Sequence, residues 1–251
     1  MKLNKLTAAA LASAAIAVGA ANATIVTVFD GISAGVADFD ATVTGTGGTV
    51  NVDVWSGLAS GTSIDRGDYV VTANDGGFLG VTTYGTMSGQ VVGINPAGGG
   101  SNPRTDPLDY FDSGFTLTFD DPVNAVGFEV GDWATCCFAP TTDLFISFDS
   151  GTPIPVASAD ETADGLFPSQ LDGLNTYEIF VAAFDDTADF TTVSFWGNGI
   201  GEFLVAGGQV RYALVDQGSL PPVPLPGAAW AMISGAGLFG AAKRRFGKKA
   251  A

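Results

Sequence analysis

The 251-residue sequence predicts an all-β domain, an antiparallel β-sandwich of jelly-roll-like organisation, set between two apolar terminal segments. Three observations predict it. Short runs rich in Val, Thr and Phe alternate apolar and polar residues with period 2. Clusters of Gly, Asp, Asn and Pro separate those runs, and Gly alone supplies 35 residues. Outside the two termini no stretch gives a convincing helical period of 3.6 residues.

Residues 1–23 are an export signal. Lys2 and Lys5 form a positive start, the following stretch to Ala21 is apolar and Ala-rich, and Ala21-Asn22-Ala23 is an A-x-A cleavage site. The mature domain is expected over 24–216. Its strands are expected at 24–30 (TIVTVFD), 48–55 (GTVNVDVW), 69–73, 78–84, 88–94, 115–120 (FTLTFD), 123–130, 143–149 (DLFISFD), 177–184, 190–196 and 209–215 (QVRYALV), apolar residues inward and polar residues outward. The longest loop is 95–110 (NPAGGGSNPRTDPLDY). No internal repeat is present, which argues against a solenoid or propeller. Residues 217–226 form a Pro-rich linker, 227–242 carry no charge and are expected as a transmembrane helix, and 243–251 are a basic tail. Lys243, Arg244, Arg245, Lys248 and Lys249 place that tail on the cytoplasmic side by the positive-inside rule.

Charge narrows the function classes. The chain has 26 Asp+Glu, all between Asp30 and Asp216, and that region holds only Arg66, Arg104 and Arg211, for a net charge of −23. Such a surface repels nucleic acid, which is bound through Lys and Arg on phosphate, so no nucleic-acid partner is expected. The absence of His removes Ser-His-Asp triads, Cys-His dyads and H-E-x-x-H zinc sites. The absence of Lys from the domain removes Schiff-base chemistry.

The candidate site residues follow from the remaining chemistry. Cys136 and Cys137 are the only cysteines and are adjacent; in an exported chain they are a vicinal disulfide candidate, a loop staple or two free thiols. Asp106, Asp109 and Asp112, and Asp185, Asp186 and Asp189, are loop carboxylates of the kind that coordinate Ca²⁺, the one cofactor the composition suggests; the alternative is a solvated acidic surface. Tyr110 and Trp133 stand in or beside loops and are candidate platforms for stacking on a sugar. A glycosidase needs a carboxylate pair; the only Glu residues are Glu129, Glu161, Glu178 and Glu202, and Glu129-Val130-Gly131-Asp132 lacks the E-x-D-x-x-E spacing of some jelly-roll glycanases, so no enzyme is expected.

Val223, Pro224, Leu225 and Pro226, then a short small-residue-rich apolar segment, then a terminal Arg/Lys cluster, resemble the PEP-CTERM sorting signal in its VPLPA variant, with Gly227 where the family usually has Ala. The resemblance covers about the last 29 residues. It implies recognition of Val223–Pro226 by an exosortase in the inner membrane of Gram-negative bacteria that make exopolysaccharide. It also implies anchoring through the C-terminal helix before processing, and a surface or extracellular location afterwards. Phe119-Asp120-Asp121-Pro122, Gly127-Phe128 and Ser147-Phe148-Asp149 resemble, more loosely, sandwich domains of such proteins. Two readings stay open: a non-catalytic protein of the biofilm or exopolysaccharide matrix, and a carbohydrate-binding module or glycan hydrolase stabilised by Ca²⁺.

Overall fold

The computed structural model describes residues 24–29, 31–94, 106–132, 142–159, 178–185, 187–197 and 204–220. Thirteen strands are described: β1 (Ile25–Phe29), β2 (Asn51–Val54), β3 (Ser63–Asp65), β4 (Tyr69–Ala73), β5 (Val81–Thr83), β6 (Gln90–Ile94), β7 (Phe115–Val123), β8 (Ala125–Gly131), β9 (Thr142–Phe148), β10 (Ile154–Ala159), β11 (Ile179–Phe184), β12 (Phe190–Gly197) and β13 (Leu204–Ala213). One sheet has the order β1-β11-β8-β13-β6-β5, with β2 also on β13; the other has the order β10-β9-β12-β7-β4-β3. The described pairings are antiparallel. The all-β expectation therefore holds, as two antiparallel sheets. From β6 onward the chain places β11-β8-β13-β6 in one sheet and β10-β9-β12-β7 in the other.

The main core lies between the sheets. In β7 the expected alternation is plain: Phe115, Leu117 and Phe119 are buried, whereas Thr116 and Thr118 face outward. They meet Val126, Phe128 and Val130 of β8 and Val193 and Phe195 of β12. Phe128 and Phe195 pack edge to face at 5.0 Å, and Phe115 meets Phe128 the same way at 5.9 Å.

The first sheet departs from that alternation. All seven residues of β8 and all six of β11 are buried, because an unexpected helix, α1 (Ile32–Gly45), covers the outer face. Its buried residues, Gly35, Phe39 and Val43, recur every four positions and form one stripe. Phe39 stacks on Phe184 at 5.1 Å and meets Phe180 edge-on at 6.4 Å. Ala125, Ala182, Ala213, Val215 and Leu220 complete this second cluster. Gly35 is required by contact: a Cβ there would run into the side chain of Phe180. Arg211 Nη1 on β13 pairs with Asp40 Oδ1 on the helix at 2.6 Å. The helix has no side-chain N-cap and no acidic residue in its first turn, so docking, not local propensity, holds it.

Two further corrections concern short elements. Within the expected loop 95–110 and beyond, Pro107–Ser113 is a 3-10 helix, started by Pro107 and capped by Asp106, whose carboxylate accepts the Leu108 N–H at 3.0 Å. Strand β10, absent from the expected strands, contains Pro155, which edge strands tolerate, and β10 is an edge. It follows β9 through a tight turn in which Asp149 (φ 47°) and Ser150 (φ 58°) are both left-handed, with Gly151 N–H donating to Phe148 O at 2.8 Å. Asp149 Oδ1 anchors the turn by accepting from Thr191 N at 3.0 Å and Thr192 N at 2.9 Å. Burial pushes the Asp149 carboxyl up, but these bonds and those from the two threonine hydroxyls outweigh it and leave it below the usual range.

The long strand β13 changes partner at a bulge. Leu204–Gly207 pair with β6 and Gln209–Tyr212 pair with β2, with a register shift against β8 between Gly207 and Val210. Gly207 (φ 126°) and Gly208 (φ 65°) make the bulge, and a Cβ would collide with the Trp55 ring at the first and the Glu129 carboxylate at the second.

Candidate functional site

A groove of about 580 Å³ opens where β7 leaves its regular pairing. Its walls are Asn51 at the start of β2, Asp68 in the β3–β4 turn, Phe119 to Val123 of β7, and Tyr212 with Leu214 at the end of β13. The register of β7 against β12 shifts between Phe190 and Thr192, and Pro122, which has no N–H, cannot restore the ladder. Asp120, Asp121 and Pro122 are consequently exposed. Asp120 N–H donates to Asp68 O at 3.0 Å, and the Tyr212 hydroxyl donates to Asp68 Oδ2.

Under the groove, Tyr69, Phe119 and Tyr212 pack as an aromatic trio with centroids 5.2 to 5.8 Å apart. Behind them Arg66 grips Asp53 with two bonds, Nε to Oδ2 at 2.8 Å and Nη2 to Oδ1 at 2.6 Å. Tyr69 OH donates to Asp53 Oδ2 at 2.6 Å and accepts Trp55 Nε1–H at 2.7 Å. Burial pushes the Asp53 carboxyl up, but the bonds from Arg66 and Tyr69 and the Arg66 charge outweigh it, so it sits below the usual range. Burial, with Asp68 as hydrogen-bond acceptor, pushes the Tyr212 hydroxyl well up, so that it stays a donor at neutral pH.

Chemically the groove offers acceptors. Asp68, Asp120 and Asp121 supply carboxylates and Asn51 an amide, with no Lys, Arg, Ser, Thr or Cys among the lining residues. It suits a donor-rich ligand such as a polyol, and the hydroxyl that lines it, that of Tyr212, is engaged with Asp68. Its rings, Phe119 and Tyr212, are buried, so they form a floor instead of a stacking platform.

A second polar cluster is closed. Glu129 (0 % exposed) on β8 and Glu178 just before β11 are buried beneath the β5–β6 connection. Glu129 accepts from Ser88 N at 2.8 Å and from Gln209 Nε2 at 2.7 Å. Glu178 accepts from Thr86 N at 2.5 Å and from the Thr86 hydroxyl. Burial pushes the Glu129 carboxyl up; Ser88 and Gln209 oppose this, the Glu178 charge adds to it, and the net shift is upward.

Tyr110 is 7 % exposed and packs with Phe145 and Trp196, whose Nε1–H donates to Pro107 O at 2.9 Å. This corrects the platform expectation: the 3-10 helix turns the ring inward. Asp106 caps that helix, and Asp109 and Asp112 on it are exposed. Asp185 organises a turn, with Oδ1 accepting from Thr187 N at 2.9 Å and Ala188 N at 3.1 Å, and Oδ2 accepting from Thr24 Oγ1 at 2.7 Å. Burial pushes this carboxyl up, but its hydrogen bonds prevail and hold it low. Asp189 accepts from Asn124 Nδ2 at 3.3 Å. Among the described residues no three carboxylates converge as a metal site. Trp133, Cys136, Cys137, Asp186, the cleavage residues Ala21 and Ala23, and Val223, Pro224, Leu225 and Pro226 lie outside the described residues. No described helix is long and apolar enough to cross a membrane, and 227–242 is likewise outside them.

The groove residues come from four separated segments, which is why only Asp120 and Asp121 stand out in the sequence, as an acidic pair. Pro122 after that pair is the local signal that the strand pairing breaks there. No protein-family model matches the chain, and no curated protein matches it.

Proposed function

We propose that this is an exported, non-catalytic jelly-roll protein, sorted by an exosortase through Val223–Pro226 and acting at the surface or in the exopolysaccharide matrix. The observation that carries the reading is the three-part C-terminal arrangement of motif, uncharged segment and basic end. The strand order supports the jelly-roll assignment, since β6 to β13 distribute over two four-stranded orders as two Greek keys require. Deleting residues 223–251 in a host with the matching exosortase tests the sorting. Soluble periplasmic protein is expected, and unchanged surface localisation refutes it.

A second reading, carbohydrate binding, is favoured by the acceptor-lined groove. Glycan-array binding, run with and without Ca²⁺, tests it. Loss of a captured glycan in an Asp120→Ala/Asp121→Ala variant would support the groove as the site, and retention would exclude it.

A further inference from the structure

Among the described strands, β1, β5, β10, β3 and β2 stand at sheet borders. Four of these are blunted in ways that edges commonly are. β10 carries Pro155 and a register shift after it. β3 and β5 have three residues each, and Gly61 and Leu79, just before them, bridge the two sheets. β1 is half-buried along its length. β2 (Asn-Val-Asp-Val) has no Pro, Lys or bulge, and its Val52 and Val54 are 50 % and 45 % exposed. Its one inward charge, Asp53, is spent on Arg66 and Tyr69.

The ladder shows which backbone groups face the open side. Trp55 N–H donates to Gly208 O at 2.9 Å, so by alternation Asp53 and Asn51 turn their N–H and C=O groups toward β13. Val52 and Val54 turn theirs outward, where no described residue bonds them. Their side chains lie beside Arg211 and Gln209, on the face away from the main core. Asn51, on the other face, lines the groove with Asp68, Asp120 and Asp121. No cation of the groove lining balances those carboxylates, and Arg66 and Arg211 are already paired with Asp53 and Asp40.

We propose that the free edge of β2 takes an extended segment of a partner protein as an added strand, one in which apolar and basic residues alternate. Such a strand would bond the outward N–H and C=O groups of Val52 and Val54. Its side chains would point alternately to the two faces, apolar ones beside Val52 and Val54, basic ones toward the groove carboxylates. A second copy of this chain is the wrong occupant, because each domain carries a net charge of −23 between Asp30 and Asp216.

The test uses the purified full chain in neutral detergent and a labelled, capped peptide of about eight residues alternating Val and Lys, followed by fluorescence anisotropy. Three further peptides are compared: Glu in place of Lys, the same residues in two blocks, and the alternating sequence N-methylated throughout. The alternating basic peptide is expected to bind, and each of the others to bind at least about tenfold more weakly. Amide exchange at Val52 and Val54 should slow on binding, a readout that needs no variant. Val54→Pro removes one outward N–H and leaves the β13 ladder in place; with its thermal midpoint measured to show folding, it should bind at least about tenfold more weakly. Asp120→Asn/Asp121→Asn should weaken binding about threefold or more and lessen its dependence on salt. No binding, equal binding of the N-methylated or block peptide, or unchanged exchange at Val52 and Val54 overturns strand addition. Equal binding of the Glu peptide overturns the basic partner. Dimerisation of the chain that Val54→Pro abolishes would seat a second copy on the edge and overturn the foreign partner.

Discussion

Phe39→Ala tests the docked helix α1 most directly. Phe39 is completely buried, stacked on Phe184 at 5.1 Å and set against Phe180 at 6.4 Å. Truncation removes a buried ring and leaves a cavity between helix and sheet. Such changes cost about 3–5 kcal/mol in well-packed sites. The first turn of α1 has no side-chain cap that would keep the helix formed on its own, so the upper half of that range is expected. At about 2–4 °C per kcal/mol for a domain of this size, the thermal midpoint should fall by roughly 8–20 °C. The control is Asp38→Ala on the exposed side of the same helix, expected within about 0.5 kcal/mol of the parent. Urea titration of residues 22–221, the compact unit, gives both values from midpoint and slope. A Phe39→Ala loss below about 1 kcal/mol, or equal losses for the two variants, would refute the docking of α1 and the explanation of why β8 and β11 are buried on both faces.

Three further outcomes are expected. Gly208→Ala forces a side chain into a left-handed backbone (φ 65°) and toward the Glu129 carboxylate, so it should lower the thermal midpoint of the domain at least as much as a 2 kcal/mol loss, about 4–8 °C. Asp53 titrates below its unfolded value, so its stabilisation is present above about pH 4 and lost as pH falls through the folded value; Asp53→Asn should be less stable than the parent at pH 7, with the gap closing in acid denaturation toward pH 2. Glu129 titrates above its unfolded value, so its favourable contribution is present below about pH 4.5 and lost as pH rises through the folded value. Glu129→Gln should therefore show a flatter loss of stability on going from about pH 5 to pH 8, whatever its constant offset, and a parallel curve would contradict the assignment.

The strands were legible where one face is wet. Phe115, Leu117 and Phe119 alternate with Thr116 and Thr118, and the structure keeps that pattern in β7. The run Ile179–Phe184 (IFVAAF) does not alternate, which is the mark of a strand covered on both sides, but nothing local names its cover. The cover is α1, whose buried stripe is only Gly35, Phe39 and Val43 in a sequence rich in Ala, Thr and Asp. A stripe that thin becomes visible only when the sheet it fits is known. Tyr110 failed for a related reason: its place beside a loop says nothing of Phe145 and Trp196, which are distant in sequence and give the ring its burial. The groove was illegible because Asn51, Asp68, Asp120 and Tyr212 are brought together by pairing of β2 with β13 and of β4 with β7. The acidic loops were read for their charge, whereas Asp106, Asp149 and Asp185 use their oxygens to fasten turns.

The ion pairs Arg66–Asp53 and Arg211–Asp40 also bear on durability against proteases. Between residues 24 and 220 the only bonds that a trypsin-like protease recognises follow Arg66, Arg104 and Arg211, because the domain has no Lys. Two of the three guanidinium groups are mostly buried and clamped on carboxylates, at 16 % and 11 % exposure, and Arg211 lies within β13, the strand that joins β8 to β6 and β2. Cleavage after Arg211 would demand that the sheet open first, so resistance to such proteases is tied to the stability of the fold. Secreted digestive enzymes of basic specificity would find a domain of nearly 200 residues with almost nowhere to begin.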